Sequence, residues 1–71
     1  MAEFRVIKAL RAKAKADKEK ALMALELLTE NEVGIGDHTA EDFFKDAEIA
    51  LQTLVDADDK LETLERYFKN E

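Results

Sequence analysis

Hydrophobic side chains recur along the second half of the chain at alternating steps of four and three residues. This unbroken stripe comprises Phe43, Ala47, Ala50, Leu54, Ala57, Leu61, Leu64 and Phe68. A heptad spacing of this kind places every member on one side of an α-helix. Thr39 lies just before the stripe. The acidic Glu41 and Asp42 come between Thr39 and the first stripe residue, as is typical of a helix N-terminus. The pattern predicts a helix over about residues 40–69.

The first half of the chain repeats the same spacing less regularly. Its stripe comprises Phe4, Ile7, Ala14, Ala21, Leu25 and Leu28, with Arg11 and Lys18 at two further stripe positions. The spacing predicts a helix over about residues 3–30. The sequence contains no Pro and only two Gly, both in the segment 31–39, so that segment is the expected loop.

Two helices of similar length joined by a short loop favour an antiparallel hairpin. The expected fold class is therefore all-α, with residues 1–71 forming a single helical-hairpin domain. When the two stripes are aligned so that paired residue numbers sum to about 71, Ala14 faces Ala57 and Ala21 faces Ala50. Facing alanines allow the two backbones to approach closely in the middle of the hairpin.

Further apolar residues widen the hydrophobic face beyond one helix-helix seam. We expect Leu22, Phe44, Leu51 and Val55 to form an interface outside the seam. A single seam in so short a chain buries little apolar surface, so a second copy is expected to complete the core as a four-helix bundle. The first expectation is a homodimer, and the second is a different protein that supplies the missing helices.

Charge is divided unequally along the chain, whose net charge is -6. Residues 1–20 hold seven basic and three acidic side chains, whereas residues 21–71 hold four basic and fourteen acidic ones. The basic residues Arg5, Lys8, Arg11 and Lys15 are candidate contacts to nucleic acid. The competing interpretation is that they pair with the acidic second helix. Because the whole chain has a pI near 4.7, the second interpretation is preferred.

The chain has few residues of the types that catalyse reactions or bind cofactors. There is no Cys and one His, His38, which lies beside Asp37, Glu41 and Asp42. A zinc site needs three or four well-placed protein ligands, so a surface His beside helix-capping carboxylates is the simpler interpretation. Gly34 and Gly36 lack the Lys of a phosphate-binding loop. We expect no enzyme activity, catalytic residue, cofactor or metal.

No apolar run approaches the ~18 residues of a membrane span, and the first residues lack the apolar region of a signal peptide. The sequence therefore predicts a soluble, cytoplasmic protein.

The loop Val33-Gly34-Ile35-Gly36-Asp37-His38 is the least generic segment of the chain. Together with its flanking helices, the second of which ends Leu61-Glu62-Thr63-Leu64-Glu65-Arg66-Tyr67-Phe68, it resembles short uncharacterised helical-hairpin proteins of tailed phages, including T4-like phages of marine cyanobacteria. The resemblance covers residues 20–68 and implies a hairpin made in the cytoplasm of a bacterial host. It transfers no activity and no functional residues.

The expected function is that of a small non-enzymatic protein that binds other proteins as an oligomeric helical bundle, with a host or phage protein as partner. The alternatives are a nucleic-acid-binding regulator that uses the basic first helix, and a component of virion assembly.

Overall fold

The fold consists of two long α-helices that pack against each other. A computed structural model describes residues 2–30 and 40–68, with the side chains of residues 5–30 and 41–68. Helix α1 spans Ala2–Glu30, and helix α2 spans Ala40–Tyr67. The expected all-helical hairpin is confirmed. The expected loop, including His38 and the two glycines, lies outside the described residues.

The two helices run in opposite directions. Arg11, in the first half of α1, donates a hydrogen bond of 2.8 Å to the backbone carbonyl of Phe68, just beyond the end of α2. In the second half of α1, Ala21 lines the same groove as Ala50 from the first half of α2. Low residue numbers in α1 therefore lie beside high residue numbers in α2, as the alignment of the two stripes predicts.

The termini of α2 have side chains that suit the helix dipole. Glu41 and Asp42 lie in the first turn, where backbone N–H groups are positive, and Arg66 lies in the last turn, where carbonyl groups are negative. The backbone N–H of Phe68 donates a 2.7 Å hydrogen bond to the carbonyl of Leu64, which continues the helical bonding one residue past Tyr67.

Small side chains form the buried seam between the helices. Among the described residues, the buried hydrophobic ones are Ala14, Ala21, Ala50, Ala57 and Leu64. Ala14 and Ala57 are each only 2% exposed. Alanine brings the helix axes close together but removes little apolar surface from water per residue. The seam therefore defines the register of the hairpin more than it supplies a core.

The hairpin is a narrow rod with principal extents of 51 × 15 × 15 Å. Its radius of gyration is 15.9 Å, whereas a compact domain of this length has a value of about 11 Å. Each helix has one neighbour along its length, so most of its circumference faces solvent.

Candidate functional site

Large hydrophobic side chains lie on the outside of the rod. Among the described residues, those that are exposed are Val6, Leu10, Leu22, Met23, Leu27, Phe44, Ile49, Leu51, Val55, Tyr67 and Phe68. Single exposed apolar residues are ordinary on a soluble protein, whereas a contiguous patch indicates an interaction site. The positions of these residues around the rod therefore determine whether they indicate an interaction site.

The ion pair between Lys18 and Asp58 identifies one side of the hairpin. Lys18 Nζ of α1 lies 3.5 Å from Asp58 Oδ1 of α2, so the pair crosses the seam on this side. Because both partners are partly exposed, the pair itself contributes about 1 kcal/mol or less. The pair is useful because it shows which residues of the two helices lie on the same side of the hairpin.

The four residues expected to form an interface all lie on that side. Leu22 is one turn beyond Lys18 on α1, and residues four apart lie one above the other on a helix. On α2, Leu51 and Phe44 precede Asp58 by seven and fourteen residues, which are two and four turns. Val55 lies one turn beyond Leu51. We call this side, with its four exposed apolar residues, the Leu22 face.

Exposure makes the Leu22 face a candidate binding surface. Phe44 is 65% exposed and Leu51 is 53% exposed, and Leu22 and Val55 are also exposed. The stripe residues Leu25 and Leu54 are half-buried, so each adds part of its apolar surface beside these four residues. An exposed apolar surface of this kind is typical of a site that binds another apolar surface.

The Leu22 face also carries the basic side chains considered for nucleic-acid binding. Lys15 precedes Lys18 by three residues, and Lys8 precedes Lys15 by seven, so both lie on this side and are exposed. Arg11 is half-buried, and its guanidinium is already engaged by the carbonyl of Phe68. Arg5 is exposed but lies farther around α1.

Acidic side chains of α2 accompany these bases. Glu62 and Glu65 follow Asp58 by four and seven residues, so they lie on the same side of the hairpin and are exposed. Towards the N-terminus of α1, the Leu22 face is therefore a row of positive charge beside a row of negative charge. A surface of this kind is poorly suited to a phosphate backbone, which the acidic row repels.

A groove runs along the opposite side of the hairpin. It has a volume of about 580 Å³ and is open to solvent along its length. Ala24 of α1 and Ile49 of α2 are among the apolar residues in its walls, and Asp17, Lys20 and Asp46 are its charged residues. Ile49 is 59% exposed. We call this groove the Ile49 groove.

Asp17 is the one polar residue of the Ile49 groove with a shifted pKa. Lys13 Nζ donates a 2.9 Å hydrogen bond to Asp17 Oδ2 from the preceding turn. This hydrogen bond, with the positive charges of Lys13, Lys20 and Lys60, holds the pKa of Asp17 below its ordinary value, although partial burial opposes the shift. A carboxyl group whose pKa is lower in the folded chain than in the unfolded chain stabilises the fold at pH values above its unfolded-state pKa. This stabilisation is lost as the pH falls through the folded-state pKa.

Sequence reasoning did not identify Asp17 as part of a groove. A short acidic residue between lysines is typical of a solvated helix face, and only the close approach of the alanine seam leaves its side chain 24% exposed. Its heptad position beside the stripe, one residue before Lys18, was the available signal.

The described residues contain no arrangement of three or more His, Asp or Glu side chains that would hold a metal ion. The cluster around His38 lies outside the described residues, apart from Glu41 and Asp42 at the start of α2. In the described part of the chain, neither helix combines the length and the apolar content that a bilayer-spanning segment needs.

The chain matches no protein-family model, and no curated protein or solved structure is significantly similar to it.

Proposed function

We propose that the chain is a non-enzymatic protein-interaction module that works as a homodimeric four-helix bundle. In this proposal, the Leu22 face of one hairpin covers the Leu22 face of another. The assembled bundle then binds a further protein through its outer surface.

The observation that carries this proposal is that small apolar side chains are buried between the helices while several large ones are exposed. Four of the five hydrophobic residues buried in the described seam are alanines, while Leu22, Phe44 and Leu51 lie outside it and are exposed. Burying a Leu or Phe side chain contributes about 1.5–3 kcal/mol, far more than burying an Ala. A sequence that leaves several of its large apolar residues exposed outside the seam gains further stability when another surface covers them.

The accessible surface of the hairpin supports the same conclusion. The chain has an accessible area of 5844 Å² and a mass of 8.1 kDa. A compact monomeric protein of that mass exposes about 4,500 Å². The excess of roughly 1,300 Å² is larger than the ~800 Å² that each partner contributes to a standard protein-protein interface. A dimer of this kind would bring the area per chain close to that of a compact protein.

The choice of a second copy over a different protein rests on charge. Towards the N-terminus of α1, the Leu22 face presents basic residues on α1 and acidic residues on α2, so two such faces match each other there when α1 of one lies on α2 of the other. Closed two-fold dimers are also the commonest oligomers of soluble proteins. Lys15 and Asp58 are examples of residues on these two rows.

In the dimer, the Ile49 groove stays on the outside of each hairpin and is the surface available to a further partner. The resemblance of the loop to tailed-phage proteins makes a host or phage protein the proposed partner class, and a role in virion assembly is one form of this proposal. Purified phage particles analysed by mass spectrometry would distinguish a virion component from an accessory factor.

Nucleic-acid binding is the less favoured proposal. Its four candidate residues are Arg5, Lys8, Arg11 and Lys15. Arg11 is engaged within the hairpin, and Lys8 and Lys15 lie beside an acidic row. Phosphate contacts would have to overcome this acidic row as well as the net charge of -6.

Thermal unfolding at several protein concentrations tests the dimer. Folding that is coupled to association makes the midpoint temperature rise with concentration. Each tenfold increase adds about 1.4 kcal/mol per dimer, which for two chains of this size raises Tm by about 5 °C. Circular dichroism over a hundredfold range of concentration measures this shift. A Tm that is independent of concentration, with high helicity at every dilution, would contradict the dimer.

A further inference from the structure

The Leu22 face is divided along the length of the hairpin. One end of the rod is where α1 finishes at Glu30 and α2 begins at Ala40, and we call it the junction end. The other end, where α1 begins and α2 finishes, is the open end. Leu22 lies eight residues before the end of α1, and Phe44 and Leu51 lie in the first half of α2, so these three apolar residues are in the junction half, with Val55 near the middle of the rod.

Most charged residues of the Leu22 face lie in the open half, and an exception is the exposed Glu26, one turn beyond Leu22 on α1. Lys8 and Lys15 belong to the first half of α1, and Glu62 and Glu65 belong to the last third of α2. The Lys18–Asp58 pair lies near the middle of the rod, between the apolar half and the charged half. The face therefore has a mostly apolar half and a half in which basic and acidic rows run side by side.

Two hairpins can stack on this face about a two-fold axis in two ways. In the first, the axis runs along the rod, so both junction ends lie together and α1 of each copy rests on α2 of the other. In the second, the axis runs across the rod, so the junction ends lie at opposite ends and α1 rests on α1. Both arrangements form four-helix bundles of the same size.

The arrangement with opposite ends is unfavourable on this face. It places the apolar junction half of each copy on the charged open half of the other, so Leu22 would meet the region of Arg11 and Lys15. Near the middle of the rod it also brings Lys15 of one copy close to Lys18 of the second copy. Desolvated charge and like-charge contacts both oppose association.

The arrangement with the junction ends together satisfies both halves of the face. At equal distances from the junction end, Leu22 of one copy meets the region of Leu51 in the second copy. In the open half, Lys15 meets the region of Asp58, and Lys8 meets the region of Glu62. Apart from charged positions such as Glu26, which lies near Phe44 of the second copy, apolar surface covers apolar surface, and the basic row covers the acidic row.

We infer that the dimer is a bundle in which both junction ends lie together and α1 of each copy packs on α2 of the other. This inference rests on the proposed dimer and adds its geometry. One consequence is that the C-terminus of α1 and the N-terminus of α2 from both copies lie at the same end of the bundle. A second is that the two Ile49 grooves lie on opposite outer sides, each near the same end.

Distances between spin labels, measured by pulsed electron paramagnetic resonance, test the arrangement. The native chain has no Cys, so single-cysteine variants carry one label per chain. Glu30→Cys labels the junction end, and Arg5→Cys labels the open end. Ala16→Cys labels the middle of α1 on its outer surface and is the matched control. All three native residues are exposed.

With the junction ends together, each end label lies at the same position along the rod as the equivalent label in the second copy. We then expect distances between the two labels of about 20–35 Å, set by the widths of the helices. With opposite ends, each end label is displaced along the rod by some 25 residues, or about 40 Å, from its counterpart. The Ala16 label lies near mid-length and gives a short distance in either arrangement.

The outcomes separate the two proposals. Short distances at all three sites support the inferred arrangement. A short distance at Ala16 with long distances at Glu30 and Arg5 overturns the arrangement and leaves the dimer standing. If Ala16 shows no dipolar coupling while circular dichroism shows intact helices, the dimer itself is wrong, and the arrangement fails with it. The two end variants check each other if one of them disturbs folding.

Discussion

Replacing Leu22 with Glu is expected to abolish the dimer. In the proposed bundle the exposed 41% of Leu22 is covered in each of the two copies, which contributes about 1 kcal/mol per copy as the corresponding share of a full Leu burial. The substitution also places two carboxylates in an apolar contact. A loss of at least about 4 kcal/mol per dimer corresponds to a weakening of association by roughly a thousandfold. Size-exclusion chromatography with light scattering would show monomer at concentrations where the native chain is dimeric.

Met23→Glu is the matched control for this experiment. Met23 is the next residue of α1, is exposed, and lies about 100° farther around the helix, away from the Leu22 face. Both substitutions add one negative charge, and both native residues have helix propensities close to that of Glu. The Met23 variant is expected to remain dimeric. Equal loss of dimer in both variants, or in neither, would contradict the assignment of the interface.

Replacing Ala21 with Leu is expected to destabilise the hairpin. Ala21 is only 3% exposed in the seam, and the four buried alanines leave little room for a larger side chain. Forcing extra methylene groups into a well-packed contact costs about 1–3 kcal/mol. For a domain of this size we expect Tm to fall by about 5–15 °C, as measured by thermal unfolding at a fixed protein concentration.

Ala16→Leu provides the comparison for the seam variant. Ala16 is exposed on the outer surface of α1, so the same added side chain meets solvent there. Leucine and alanine are both good helix formers, and this change is expected to leave Tm within about 2 °C of the native value. An Ala21 variant as stable as the Ala16 variant would show that the helices do not meet at the alanines.

The heptad spacing was sufficient to predict the hairpin because both helices use the same repeat. The stripe positions Ala14, Ala21, Ala50 and Ala57 are all buried in the structure, as their alignment predicts. The ordering of polar and apolar residues around each helix also predicted that Leu22 and Leu51 lie outside the seam. Periodicity carries this information because each residue turns the helix by a fixed angle.

The details of side-chain contact were beyond the sequence. The general proximity of the basic stretch to acidic residues was predictable, but the specific pairing of Lys18 with Asp58 depends on the rotamers of two flexible side chains. The partial burial of Asp17 depends on how closely the helices approach, which the spacing of apolar residues does not determine. Whether a second copy covers the Leu22 face depends on a chain outside the hairpin, so it stays a proposal.

Sedimentation equilibrium of the purified protein tests the central claim most directly, with helicity followed by circular dichroism on the same samples. The claim is that the exposed apolar residues of the Leu22 face are covered by a second copy. We predict a mass of twice the chain mass of 8.1 kDa, with high helicity, and a joint loss of mass and helicity on dilution. A highly helical monomer at every concentration would contradict the claim, and a weakly helical monomer would mean that a different protein completes the core.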